Sequence, residues 1–310
     1  MNVGFVGLGS LGRQLALRVL GAGYALSVHD RDPAAVSPLV AAGAASRPVP
    51  AEVARSADCV ITCLPSPQAV SDVVAGAHGI VHGLRRGGTW IDMSTNDPHE
   101  LARLAALVAE RGISTLECPV TGGVHRAAAG EITVIAGGDE AVFAAHRELL
   151  GAVGGEVIYV GPLGKASLIK VITNMLAFIH LVATGEALML AKRGGVDLAI
   201  AYDVIRASSG TSFVHETEGR VILNGSYDIG FTMDLAAKDL GFALDMGREF
   251  GVPLELAGLV ERTFERAREQ YGGEAWSSQV VKLLEDQLGV DLRAPGFPAR
   301  LDGTSQARET

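Results

Sequence analysis

Lys170 and Asn174 stand four apart in LIKVITNM, residues 168–175, a stretch that is otherwise mostly apolar. On a helix, positions i and i+4 share a face, so the two polar heads project together. A buried amine gives up its proton more readily than an exposed one. Beside a nicotinamide, such a lysine can hand a proton to an alkoxide while hydride goes to carbon. In the reverse direction it takes the proton from the hydroxyl. The asparagine amide, donor and acceptor at once, can orient the same oxygen. The helix alone also allows a lysine that snorkels from the first turns and an asparagine that is merely structural.

A second constellation opens the chain. Residues 2–6 are apolar and strand-like, followed by Gly7-Leu8-Gly9-Ser10-Leu11-Gly12. Leu11, Leu15, Val19 and Leu20 then recur at helical spacing, and an apolar run from Ala25 to Val28 leads to Asp30. Strand, glycine turn, helix, strand and acid together form a dinucleotide site. Gly7 permits the tight turn. Gly9 lets the backbone approach a pyrophosphate seated on the helix N-terminus, and Gly12 lets helix pack closely on strand. Asp30 can accept from the adenosine ribose hydroxyls. It also repels a 2′-phosphate, as does Asp32, whereas Arg31 can bind one. NAD is favoured on this balance, and NADP stays open.

A third is ECPVTGG, residues 117–123. Thr121 offers a hydroxyl. Gly122 and Gly123 expose backbone N–H groups that can form a nest for an anion such as a substrate carboxylate. A plain tight turn is the other reading.

These residues need a scaffold. DCVITCLP (58–65), GTWIDMST (88–95), ISTLECP (113–119) and EITVIAGG (131–138) read as buried strands. NDPHELARLAALVAERG between them reads as a helix, with Asp97 or Asn96 as cap and Pro98 near its first position. Repeated β-α units predict an α/β, doubly wound parallel sheet of Rossmann type. Ligands bind beyond the carboxyl ends of such strands, which places Leu64, Pro65, Ser94 and Thr95 at the mouth. From about Gly161 the strand signals stop. GPLGKASLIKVITNMLAFIHLVATGEALMLAKRGG reads as one long helix, apolar nearly all round and therefore expected to be buried. Helical patterns continue over 197–207, 214–223, 233–250, 254–270 and 277–288. The expected organisation is a dinucleotide-binding domain over 1–160, an all-α domain over 161–293 reached through the long helix, and a loose tail over 294–310.

Bulk properties narrow the function. The 310 residues are 48% hydrophobic and 20% charged, enough for a sizeable core. A net charge of −9 with scattered Lys and Arg argues against nucleic acid and anionic membranes as partners. The apolar run between Lys170 and Glu186 is shorter and more polar than the roughly 20 residues of a membrane span. Cys59, Cys63 and Cys118 lack a disulfide framework spacing, which fits a reducing, cytoplasmic compartment. Cys59 and Cys63 read as core. The opening MNVGFVGLGS has no charged leader, so no signal peptide is expected. His78 and His82 are four apart without an evident third ligand, and no metal is expected.

GLGSLG, CLP, IDMST, ECPVTGG, GPLGKASLIKVITN and KDLGFA (238–243) occur in this order over roughly residues 2–290. Together they resemble the β-hydroxyacid dehydrogenases, which include 3-hydroxyisobutyrate dehydrogenase and tartronate semialdehyde reductase. The resemblance implies an NAD(P)-dependent oxidoreductase that interconverts a small β-hydroxy carboxylate and its semialdehyde or ketone. It implies Lys170 as catalytic acid–base with Asn174 as its partner, and Thr121, Gly122 and Gly123 as the substrate-carboxylate loop. Leu64, Pro65 and Thr95 would touch the cofactor, beside the Gly7–Gly12 loop with Asp30 and Arg31. Lys238 would lie near both cofactor and substrate. Phe231 can wall the site or be plain core. A homodimer or homotetramer is the implied assembly.

Two departures stand out. Glu117-Cys118 and Thr121 replace the family's usual Asp-Ala and Ser, and Ala166 replaces a common glycine, which would shift the helix start slightly. His125, just past the nest, is a further candidate for substrate contact. SSGTSFVHE (208–216) and WSSQVVKLL (276–284) resemble 3-hydroxyisobutyrate dehydrogenases, whereas GFTMDLAAKDL is more like tartronate semialdehyde reductases. No dense basic cluster marks a phosphate subsite. Imine reductases of this scaffold and its non-catalytic modules usually lack the lysine, which this chain keeps.

Overall fold

A computed structural model describes residues 1–301; the rest of the expected tail, 302–310, lies outside the described residues. The chain divides into two compact units, Met1–Lys170 and a second that begins at Val171.

The first unit alternates strand and helix. It runs β1 (Asn2–Val6), α1 (Ser10–Gly21), β2 (Ala25–His29), α2 (Pro33–Ala41), β3 (Ala45–Ser46), α3 (Pro50–Arg55), β4 (Cys59–Thr62) and α4 (Pro67–Ala75). It continues with β5 (Thr89–Asp92), α5 (Pro98–Ala109), β6 (Ser114–Glu117), β7 (Val120–Thr121), α6 (Gly123–Ala129), β8 (Thr133–Gly138), α7 (Glu140–Val153) and β9 (Glu156–Gly161). Helices α2 to α5 all open on proline, whose fixed φ suits the first turn and whose missing N–H is no loss there. Asp32, Ser66 and Asp97 cap three of them. Asp97 is thus the cap of α5, while Asn96 donates to Asp92.

The strand order is β3-β2-β1-β4-β5-β6-β8, with β7 and β9 also paired to β8. The sheet is parallel from β3 to β6. Neighbouring residues feed opposite cores: Phe5, Ile61 and Ile91 pack on one face with α1 and α7, Val6, Val60 and Trp90 on the other. Both faces are covered, so the strands read as continuous apolar runs. Chain order reverses between β1 and β4, the place where such sheets open for a ligand.

Three features depart from expectation. β8 runs antiparallel to β6 and β7, so the sheet is not wholly parallel. β9 continues the sheet where no strand was expected; its EVIYVG is an edge, mostly half-buried. Beyond the twin glycines the chain forms the short helix α6 rather than a simple turn.

Helix α8 (Lys165–Arg193) starts in the first unit and continues into the second. It was expected to be buried all round. Only 28% of its most apolar window is buried, and Ile169, Ile172, Leu176 and Leu190 are exposed. The buried stripe, including Phe178, Leu181, Leu188 and Met189, joins the core of the second unit. By length and composition alone this helix could cross a membrane.

The second unit is helical throughout: α9 (Leu198–Arg206), α10 (Phe213–Asn224), α11 (Met233–Glu249), α12 (Glu255–Tyr271) and α13 (Lys282–Leu288), the last preceded by a 3-10 turn at Ser277–Val281. Residues 294–301, expected to be loose, are tied down. Phe297 enters the core and meets Tyr202 edge-on, its carbonyl accepts from Asn224 at 2.8 Å, and Arg300 pairs with Asp228. One buried aromatic ring outweighs the lack of periodicity.

Glu218 on α10 is costly to this unit. Its Oε2 is shut off from solvent and has no hydrogen-bond partner among the described residues. Burial pushes its carboxyl up to about 8. Such a group favours folding while protonated and penalises it as pH rises from the ordinary value of 4.5 through 8. Glu218→Gln is expected to raise Tm at pH 9 by roughly 2–4 °C for each kcal/mol relieved, with little change at pH 4.5. Equal melting temperatures at both pH values would show that the carboxyl ionises without penalty.

Candidate active site

The glycine loop joins β1 to α1. Gly7 has φ +97, and a Cβ there would lie 2.3 Å from the Cys63 carbonyl; a Cβ on Gly12 would lie 2.1 Å from the Gly7 carbonyl. Both glycines are therefore demanded by the fold. Gly9 differs, because a Cβ there would meet no protein atom within 4 Å. Gly9 and Ser10 are exposed, Leu11 is half-buried, and Leu8 is packed in the core. Gly9 caps α1 without a side-chain bond, and no acid occupies the first turn. An anion thus finds backbone donors and open backbone, which fits a pyrophosphate. The Leu8 N–H donates to Asp30 Oδ2 at 2.6 Å, and Asp32 N–H to Asp30 Oδ1 at 2.9 Å. Asp30 therefore braces the loop, and each oxygen keeps a lone pair for a ribose hydroxyl. Arg31 is exposed next to it.

The neighbouring strand ends are cross-linked. Leu64 N–H donates to Ser94 Oγ at 3.0 Å, which joins the loop after β4 to the loop after β5. Behind them Asp92 is buried, accepting from Thr62 Oγ1, the Ser94 N–H and Asn96 Nδ2. Burial holds its carboxyl above the usual range, although these bonds offset part of the rise. Thr95 is half-buried and Pro65 exposed at this rim.

The loop after β6 carries Thr121, Gly122 and Gly123, with φ +126 at Gly122 and +86 at Gly123. Glu117, the last residue of β6, is buried and reaches the start of α8. Oε1 accepts from Ala166 N–H, and Oε2 from both the N–H and the hydroxyl of Ser167. A side chain 49 residues upstream therefore supplies the N-terminal cap of α8. Lys170 follows within one turn. It is 7% exposed, so it does not snorkel to water.

Further along α8, Asn174 is also buried and its Nδ2 donates to Asp239 Oδ2 at 2.6 Å. Asp239, on α11, is fully enclosed; Lys238 Nζ lies 3.2 Å from its other oxygen and 5.5 Å from the Phe242 ring centroid. The bond to Asp239 consumes an amide hydrogen and leaves Asn174 Oδ1 as the acceptor. Phe231 packs on Phe178 in the core of the second unit.

Sequence reasoning had no role for Glu117, Asp92 or Asp239. The signal for Asp239 was present, an acid beside the singled-out Lys238. Glu117 and Asp92 are acids closing apolar strands, a position where burial without a partner would be prohibitive. Burial pushes the thiols of Cys59 and Cys63 up to about 12 and that of Cys118 well above its ordinary value. No group of three or more His, Cys, Asp or Glu is placed to hold a metal among the described residues.

Residues 2–161 match the model of the NAD-binding domain of 6-phosphogluconate dehydrogenase, and residues 164–284 that of the NAD-binding of NADP-dependent 3-hydroxyisobutyrate dehydrogenase. The chain is 33% identical to the 2-(hydroxymethyl)glutarate dehydrogenase of Eubacterium barkeri, over 94% of its own length and 97% of the relative's. It is 34% identical to the mitochondrial 3-hydroxyisobutyrate dehydrogenase of Rattus norvegicus, over 92% and 88% respectively. A crystal structure of 3-hydroxyisobutyrate dehydrogenase from Salmonella typhimurium superposes with a TM-score of 0.85 at 32% identity, covering 91% of this chain and 99% of that one. The two relatives are named for different acids, so the likeness fixes the class of reaction and not the substrate. The chain belongs to the β-hydroxyacid dehydrogenase family and is an NAD(P)-dependent oxidoreductase.

Proposed function

We propose that the protein oxidises a small β-hydroxy carboxylate, 3-hydroxyisobutyrate or a near relative, to its semialdehyde, and prefers NAD. The observation that carries this reading is a buried lysine, Lys170, set about one turn beyond Ala166 and Ser167, whose N–H groups are clamped by Glu117 at the head of the carboxylate loop. When bound, the nicotinamide supplies the hydride chemistry. The chain's part is to hold and deprotonate. The loop of Thr121, Gly122 and Gly123 holds the substrate carboxylate. Lys170 Nζ takes the hydroxyl proton as the carbon loses hydride, and returns it to the oxygen in reduction. Asn174 Oδ1, fixed by the bond to Asp239, can accept from the lysine or the substrate hydroxyl. Leu64, Pro65 and Thr95 border the cofactor, and Lys238 lies near both ligands. Reduction of tartronate semialdehyde is the second reading, supported by GFTMDLAAKDL.

We also propose a homodimer or homotetramer. A second copy would cover the exposed stripe of Ile169, Ile172 and Leu176 on α8, since apolar rows of this kind are rarely left in water. The reading keeps α8 out of a membrane because its opposite stripe is committed to the helical core.

Absorbance at 340 nm tests the reaction. NAD and NADP are paired with 3-hydroxyisobutyrate, glycerate, 3-hydroxypropionate, serine and threonate, and the reduced cofactors with tartronate and succinic semialdehydes. A β-hydroxy acid is expected to react best, with NAD; no turnover of any would defeat the reading. Lys170→Ala is expected to keep NADH binding while turnover falls at least ~10²-fold, and near-normal turnover would remove the lysine from the proton transfer. Asp30→Asn keeps an acceptor for the Leu8 N–H but loses the charge. It should shift the NAD-over-NADP ratio of kcat/KM toward NADP by about 10-fold, or 1.4 kcal/mol; an unmoved ratio means another group selects the cofactor. Light scattering checks the assembly. A mass of one 32.2 kDa chain would refute it, and Leu176→Glu should drive the oligomer toward that mass.

A further inference from the structure

Arg126 lies one helical turn beyond the loop that the proposed function assigns to the substrate's carboxylate, and its side chain folds back over that loop. A Cβ built on Gly122 would lie 3.2 Å from Arg126 Cδ, 3.6 Å from its Cβ and 3.8 Å from its Nε. Any side chain at position 122 would press on the arginine stem. Gly122 is thus required twice, for its φ of +126 and for the room it leaves Arg126. The Nε is shut off from solvent and the residue as a whole is half-buried, so the stem is held against the loop. On the other side, His125 Nδ1 and Cε1 both come within 3.1 Å of where a Gly123 Cβ would be.

The charge around the loop is one-sided. Between Glu117 and Glu131 the chain has no acid, and Arg126 carries the one permanent charge. Glu117 is engaged at the start of α8, and Glu131 is exposed. In a chain of net charge −9, the stretch between these two glutamates carries a positive permanent charge. A guanidinium presents paired N–H groups in a planar fork that matches a carboxylate, and cannot lose its charge at working pH.

We infer that Arg126 is a specificity-determining residue that binds the substrate's carboxylate alongside the Thr121–Gly123 loop, so that the protein selects free acids over neutral analogues of the same shape. The inference rests on the assignment of that loop to the carboxylate. It adds a charged reader to a loop otherwise limited to backbone N–H groups and one hydroxyl.

Isobutyrate and isobutyramide, which have nearly the same shape and cannot be oxidised as β-alcohols, serve as probes. Each is titrated into the protein with NADH bound, followed by nicotinamide fluorescence. The unaltered protein is expected to bind the acid at least ~10-fold more tightly than the amide, a difference of about 1.4 kcal/mol. Equal affinities overturn the proposal without any variant. In Arg126→Gln the acid should lose at least ~10-fold while the amide changes less than about twofold, and Arg126→Lys should restore part of the loss. Arg147→Gln, which removes an exposed charge on α7, should leave both affinities as they were. A variant that loses acid and amide alike has lost the loop's shape, and a variant that loses neither has lost nothing relevant; either result overturns the role. With a reactive acid, the fall in kcat/KM of Arg126→Gln should appear mainly in KM. If no β-hydroxy acid is turned over yet isobutyrate binding still depends on Arg126, the carboxylate site stands and the dehydrogenase substrate reading falls. If acids are turned over and Arg126→Gln keeps the preference for acid over amide, the reading stands and Arg126 falls.

Discussion

The carboxylate of Glu117 is the fastening on which the site depends. The first N–H groups of helix α8 need acceptors wherever they are buried. Glu117 supplies them from the end of β6, with both oxygens on Ala166 and Ser167. The same residue opens the loop that turns through Thr121 and the twin glycines. One side chain therefore sets where the helix begins and where the loop departs, and Lys170 is placed relative to both. Water cannot substitute easily there, because Glu117 and Ser167 are almost wholly enclosed. The family's shorter acid and its glycine are here a longer acid and Ala166. The glutamate reaches one carbon further, and a Cβ on nearby Gly137 would fall 2.6 Å from its Oε1. The space for the larger acid is taken from the backbone of β8.

Elsewhere in the first unit, polar residues perform the same service at smaller scale. Asp30 holds the glycine loop, Ser94 holds the loop after β4, and Asp92 holds Thr62 and Asn96 behind them. Each lies at the carboxyl end of a strand, where the sheet's own hydrogen bonds run out. The loops at the mouth are bonded to one another and to the strand ends behind them. Glu218 is the contrast: its Oε2 is enclosed without a hydrogen bond among the described residues, and the second unit bears the cost.

Much of this was legible in the sequence because the signals are local. The glycine spacing, Pro98 at the start of its helix and the i, i+4 pair of Lys170 and Asn174 each depend on a few adjacent residues. What was not legible depends on distant partners. Glu117 looks like an ordinary strand-end acid until Ser167 is brought to it. Asp239 has no evident task until Asn174 arrives from 65 positions away. The strand β9 was hidden because an edge needs little burial, and residues 294–301 because a single phenylalanine fixes them. The exposed stripe of α8 was hidden for the opposite reason. A helix apolar on every side gives no sign of which side its own chain will cover.

The boundary between the two compact units falls inside α8, between Lys170 and Val171. Lys170 thus belongs to one unit and Asn174 to the other, yet both ride on a single uninterrupted helix. Their separation is set by helix pitch, about 6 Å along the axis, and no flexing of loops can alter it. The arrangement makes the stretch from 170 to 174 intolerant of length change. One inserted or deleted residue would swing Asn174 about 100° around the axis relative to Lys170, while both residues kept their identity.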